Sequence, residues 1–148
     1  MSALTAFTTQ VINLSTELNN MYPNDNFFKS ALTAATFLKR TNPRLMHNLM
    51  MTNMTEYRTH IFDENDDFFA KKINELEERN YGESETNEDG ESHVGKLADI
   101  LNLQNVQAKK DQFNFVLRVR TYWNEMSPKT KKNIWMYLKV LFKLSDRI

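Results

Sequence analysis

Apolar residues at the start of the chain recur at intervals of three and four, the spacing of one face of an α-helix. The pattern predicts an amphipathic helix that ends before Pro23, because proline cannot continue a helix. Its apolar stripe is expected to pack into a core, with a coiled-coil or oligomer seam as the alternative. The stripe consists of Leu4, Phe7, Val11, Leu14, Leu18 and Met21.

Further helix starts are marked by capping residues. Asp25 is the expected N-cap of a second helix, since a carboxylate accepts hydrogen bonds from free N–H groups in the first turn. Asn42-Pro43 and Ser127-Pro128 combine a cap with proline at the first helical position, where its missing N–H is tolerated. Asp66 or Asp67 is expected to cap another helix. The inward residues of that helix are Phe68, Phe69, Ile73 and Leu76.

Residues 46–54 are rich in methionine at helical spacing. Methionine side chains adapt to irregular cavities and also to partner surfaces. The stripe is therefore expected to be core, with a partner-binding anchor as the alternative. Its methionines are Met46, Met50, Met51 and Met54.

A helix predicted over residues 111–125 has apolar residues around about 220° of its circumference when projected at 100° per residue. A helix of this kind lies centrally in a core or in an interface. Arg120 falls inside the apolar arc, so an acidic partner is expected for it. A shorter helix is predicted before it, around Leu97, Ile100 and Leu101.

The last predicted helix runs from Ser127-Pro128 to near Ile148 and has two different sides. Trp135 is the expected central core residue on its inner side. Five cations fall within about 80° of one another on the opposite side, with Met136 and Val140 among them. Such a stripe is either a solvated surface or a binding face for a polyanion. The cations are Lys129, Lys132, Lys139, Lys143 and Arg147.

The zero net charge of the 148 residues hides an uneven distribution. Residues 80–94 carry five acids and no Lys or Arg, whereas residues 95–148 carry 11 Lys or Arg against four acids. All three glycines lie in or beside the acidic stretch, and its low apolar content predicts a mobile loop or linker. The loop is expected to be a solvated spacer. The alternative is an intramolecular polyanion that screens the basic third.

Residues that could support catalysis or bind a metal are sparse. The absence of cysteine excludes disulfides, thiolate–zinc sites and thiol nucleophiles. Asp63, Asn65 and Asp67 have the initial spacing of a calcium loop, but the glycine and the final glutamate of that loop are missing. Glu56 and His60, with Glu64, could share a helix face but have no further partner at a fixed spacing. We therefore expect no metal, no cofactor, no small-molecule substrate and no enzymatic activity.

Two stretches of the chain carry a resemblance to known proteins. The first is RTNPR at 40–44 with MHNL at 46–49 and YR at 57–58, and the second is YW at 122–123 with IWMYL at 134–138. Together they resemble small, mostly uncharacterised helical proteins of large DNA viruses of algae and protists. The resemblance implies a viral origin, expression in an infected host cell and a place in the virion. It implies no catalytic residues.

The sequence as a whole predicts a single all-α domain, an irregular bundle of six or seven helices. It divides into an N-terminal helical part (1–79), an acidic loop (80–94) and a basic C-terminal part (95–148). Neither a secretory leader nor a membrane-spanning run is evident, so an intracellular protein is expected, in host cytoplasm or virion if viral. The leading hypothesis is a non-enzymatic interaction protein that docks a protein partner or itself. The methionine stripe or part of the wide arc would supply the anchor. The alternative is a sequence-tolerant nucleic-acid or polyanion binder that uses the basic helix face.

Overall fold

A computed structural model describes residues 2–71 and 112–148. Within these residues the protein is all α-helical and has no strand, as the sequence predicts. The described residues form seven α-helices, and two 3-10 turns, Thr55–Tyr57 and Trp123–Glu125, connect neighbouring helices. The helices are α1 Ala3–Met21, α2 Asn26–Thr41, α3 Pro43–Met54, α4 Arg58–Phe62, α5 Asp66–Ala70, α6 Phe115–Tyr122 and α7 Pro128–Ser145.

The predicted caps at the starts of α2, α3 and α7 are confirmed. Asp25 Oδ1 accepts a hydrogen bond from Phe27 N at 2.8 Å. Asn42 Oδ1 accepts one from Leu45 N at 3.2 Å, and Ser127 Oγ accepts one from Thr130 N at 3.1 Å. Proline follows the second and third of these caps directly, and α1 ends at Met21, ahead of Pro23.

Two predicted helix starts are wrong. The cap of α5 is Asn65, whose Oδ1 accepts from Phe68 N at 3.0 Å, rather than Asp66 or Asp67. Helix α6 begins at Phe115, because Asn114 Oδ1 accepts from Leu117 N at 3.3 Å and so starts a new helix inside the predicted one. Asparagine favours such caps over helix interiors, because its side chain competes for backbone N–H groups.

The long helices surround one apolar core. Helix α1 packs against α2, α3 and α7, and α4 packs against α7. Of the α1 stripe, four residues are buried, while Leu4 is half-buried and Met21 is 37% exposed. At the centre the rings of Phe69, Trp123 and Trp135 contact one another with centroids 4.7 to 5.0 Å apart. Trp135 meets the other two rings edge to face, and Phe69 and Trp123 are tilted relative to each other. Trp135 is thus a core residue, and Trp123 is buried still more completely.

Several predictions lie outside the described residues. These are the helix around Leu97 to Leu101, the inward placement of Ile73 and Leu76, and the acidic loop over residues 80–94. The described helices of the N-terminal part and those of the C-terminal part share the one core described above.

A candidate docking face on the C-terminal helix

The outer face of α7 combines exposed cations with exposed apolar side chains. Its inner side is buried through Ile134, Trp135, Leu138, Leu141 and Phe142. The opposite side follows the 3-4 spacing of one helix face. We call Lys129, Lys132, Met136, Val140 and Lys143 the outer face of α7.

Most of the predicted cationic stripe makes no ion pair within the part of the chain that the structure describes. Lys129, Lys132, Lys143 and Arg147 are exposed and make no ion pair with a carboxylate of the described residues. Lys139 differs, because its ammonium is bound by Glu64. The structure corrects one further detail, since α7 ends at Ser145 and Arg147 therefore lies in the turn beyond the helix.

Two acids near this face are held by residues other than the four exposed cations. Asp146 follows the last residue of α7 and receives two hydrogen bonds from the Arg58 guanidinium, at 2.7 and 3.2 Å. Asp66 lies 3.5 Å from Lys131 and accepts a hydrogen bond from Trp123 Nε1 at 2.8 Å. Neither Asp146 nor Asp66 therefore neutralises the exposed lysines of the outer face.

Met136 and Val140 lie between the cations and face the solvent. Met136 is 57% exposed and Val140 is 37% exposed. Single exposed apolar side chains are common on proteins. Here two neighbours, one helical turn apart, share a face with three exposed lysines, which is an arrangement suited to a partner that is both apolar and acidic.

The methionine stripe of α3 does not provide the alternative anchor. Met46, Met50 and Met54 are fully buried in the core, and Met51 is half-buried against it. The wide apolar arc of α6 is also buried, since its Phe115, Val116 and Val119 belong to the core. Both sets therefore pack into the core, and in this conformation neither forms an exposed surface for a partner.

Arg120 is buried as predicted, but its partners differ from those expected. Among the described residues it meets no carboxylate. Its Nη2 donates hydrogen bonds to the carbonyl oxygens of Phe68, at 2.6 Å, and Lys71, at 3.2 Å, and its guanidinium lies 4.0 Å from the centroid of the Phe68 ring. Burial lowers the pKa of Arg120 below its ordinary value. The side chain thus ties the end of α5 to α6.

Sequence reasoning missed the buried ion pair that joins α2 to α6. Arg118 contacts both carboxylate oxygens of Asp25, at 2.9 and 3.1 Å, and the Tyr122 hydroxyl donates to the same carboxylate. Burial acts to raise the pKa of Asp25, but the hydrogen bonds from Arg118 and Tyr122 outweigh it and hold that pKa below its ordinary value. Ninety-three residues separate the pair, and only the cap at Asp25 was visible in the sequence.

The two histidines of the described residues have structural neighbours. His60 stacks on Phe68 with centroids 3.7 Å apart, and its Nδ1 lies 3.1 Å from Asn65 Nδ2. His47 Nε2 lies 2.8 Å from Ser145 Oγ, and its ring meets Phe7 edge to face. Residues 2–71 and 112–148 contain no group of three His, Asp or Glu that could hold a metal ion.

Comparisons of the chain with protein-family models, with curated proteins and with solved structures find no match. Across the described helices, none combines the length and apolar character that crossing a bilayer requires.

Proposed function

We propose that this protein is a non-enzymatic helical interaction protein that docks a protein partner through the outer face of α7. The observation that carries the proposal is the exposure of Met136 and Val140 between cations that have no carboxylate partner in the described residues. A partner with an apolar centre and acidic ends would satisfy both features.

The size of the apolar contact makes the cations necessary for binding. Full burial of a side chain such as Met or Val contributes about 1.5–3 kcal/mol, and both are already partly covered, so the pair contributes roughly 2–3 kcal/mol. Association costs about 4 kcal/mol or more in lost freedom of motion. We therefore expect an affinity that depends on Lys132 and Lys143 and that falls as salt is added.

A photo-crosslinking amino acid at position 140 tests the proposal in an extract of the native source. Position 21 on α1 is the matched control, because Met21 and Val140 are both 37% exposed. We expect one discrete, nuclease-resistant protein adduct from position 140 and none from position 21. The adduct should disappear in the Lys132→Gln/Lys143→Gln background.

An equal adduct from both positions would contradict the proposal, because it would show that adduct formation does not depend on the outer face. Persistence of the adduct without the two lysines would contradict it as well.

A second copy of the chain is a less suitable partner for this face. Two outer faces placed against each other would bring like charges together, which is unfavourable. Sedimentation at low and high salt distinguishes the cases, since a dimer formed through this face would strengthen as salt screens the repulsion.

The second candidate function is sequence-tolerant binding of a polyanion such as duplex DNA. It is favoured by the four exposed cations that make no ion pair with a carboxylate of the described residues. If all four met phosphates, log K against log salt would have a slope of about −3.6. Replacing Met136 by lysine, with the crosslinker kept at position 140, separates the two functions. The variant should bind duplex DNA more tightly if the face meets phosphates, and should lose the protein adduct if it docks a protein.

The viral origin, the host cytoplasm or virion as location, and the resemblance that suggests them belong to the same proposal. Proteomic analysis of purified virus particles from the native source tests them, and absence from both particles and infected cells would contradict them.

A further inference from the structure

Resting on the proposed function, we infer that the occupant of the outer face of α7 is a single amphipathic helix with an apolar centre and acidic ends. The order of side chains along α7 and the charges that border the face favour a protein helix over a nucleic acid or a membrane.

The order along the face is cationic, apolar and cationic. With a rise of about 1.5 Å per residue, Met136 and Val140 are roughly 6 Å apart along the axis. Lys132 and Lys143 lie on either side of them, roughly 16 Å apart. A phosphate backbone carries charge at every step, so it would leave the apolar centre unused. A helix with two apolar residues one turn apart and acids toward both ends would match the apolar centre of the face and the cations on either side of it.

The borders of the face restrict its positive field to a strip along α7. On the side of α4 and α5, Lys139 is neutralised by Glu64 and Lys131 by Asp66. On the side of α1, the neighbour of the cations is the half-buried phenol of Tyr137, whose pKa is raised by burial and by the nearby charge of Glu17. The exposed cations are thus confined to a single row. A helix, about 10–12 Å wide with its side chains, fits such a row better than a broad anionic surface.

A designed peptide probe tests the inference against the full-length chain. The probe is a helical peptide as long as α7, with two central leucines four residues apart and glutamates toward both ends. A scrambled peptide of the same composition is its control. Fluorescence anisotropy at low salt should show binding of the patterned peptide about tenfold tighter than that of the scrambled one.

Variants of the chain separate apolar contact from charge. Both Met136→Ser/Val140→Ser and Lys132→Gln/Lys143→Gln should weaken binding of the patterned peptide about tenfold or more. The control is Lys29→Gln/Arg40→Gln, which removes two exposed cations from α2 and should leave binding unchanged. All these side chains are exposed, and circular dichroism verifies that each variant folds as the parent does.

Three results would overturn the inference. The first is equal affinity for the patterned and scrambled peptides, and the second is unchanged affinity in the serine variant. The third is tighter binding to a phosphatidylserine vesicle or to duplex DNA than to the peptide, with loss in the glutamine variant. If the peptide fails while the crosslinked protein adduct from position 140 persists, the helical occupant is wrong and the proposed function stands.

Discussion

Replacing Asp25 by alanine should destabilise the protein far more than the loss of a helix cap alone. Asp25 is buried, and its side chain is only 3% exposed where it meets Arg118. Removing one member of a buried ion pair costs about 3–5 kcal/mol, because the remaining charge is left without compensation. Loss of the cap to Phe27 N would by itself cost about 1 kcal/mol.

Asn42→Ala is the matched control, since Asn42 is an exposed cap with no ion pair described. We expect about 1 kcal/mol for Asn42→Ala and about 3–5 kcal/mol for Asp25→Ala. Asp25→Asn keeps an acceptor for the cap and should fall between them. Urea unfolding followed by the fluorescence of Trp123 and Trp135, both buried, measures each free energy. Equal costs for the two alanine variants would refute the assigned role of the ion pair.

The stabilisation that this ion pair contributes depends on pH. Because the pKa of Asp25 is lowered in the folded state, its stabilising contribution is complete above the unfolded value near 3.8. That contribution is lost as the pH falls through the lower folded value. The parent should therefore lose more stability than Asp25→Asn on acidification below about pH 4. Parallel stability profiles of the two proteins would contradict this assignment.

Three further predictions concern other buried groups, each measured as a free energy of unfolding. Arg120→Met should change stability by less than about 1 kcal/mol, because removing a buried cation that meets no carboxylate of the described residues offsets the lost carbonyl bonds. Arg120→Ala should cost about 3 kcal/mol. A cost for Arg120→Met as large as that for alanine would contradict this balance. Met50→Ala should cost about 2–5 kcal/mol and the half-buried Met51→Ala clearly less, so equal costs would contradict the core placement. Burial and nearby Arg44 lower the pKa of His47, so the contribution of the neutral ring is complete above the unfolded value of 6.5 and is lost below it. His47→Gln should flatten the decline in stability as the pH falls below about 6.5, and an unchanged profile would count against that assignment.

Local signals in the sequence predicted much of the fold. The 3-4 spacing of apolar residues located the buried faces of α1 and α7, and caps with an adjacent proline located the starts of α3 and α7. These signals act within a few residues, so the sequence displays them directly.

The sequence-based predictions were wrong where several adjacent residues can all cap a helix, and where the partners of a side chain lie far away along the chain. Asn65, Asp66 and Asp67 can each cap a helix, and their order alone does not choose among them. In the structure Asn65 follows Glu64, whose φ of 49° lies in the left-handed region, and this reversal of the chain sets the cap. The partners of Arg120 are main-chain carbonyls some fifty residues away, which no side-chain pattern encodes.

The candidate face was predicted only in part. Helical projection placed the five cations and two apolar residues on one side of α7. Helical projection could not show that Lys139 is bound by Glu64, because Glu64 lies in the loop between α4 and α5, far from α7 in the sequence. Tertiary contacts therefore reduced the stripe to the row of exposed cations on which the proposals rest.

The exposure of Met136 makes the outer face sensitive to oxidants. The chain has no cysteine, and the described core shelters Met46, Met50 and Met54, so oxidation should reach Met136 well before them. Conversion of its thioether to a sulfoxide places a polar group at the apolar centre, and reductases reverse that change. Mild peroxide treatment followed by peptide mass spectrometry would locate the modified sulfur, and partner binding should decline in step with it.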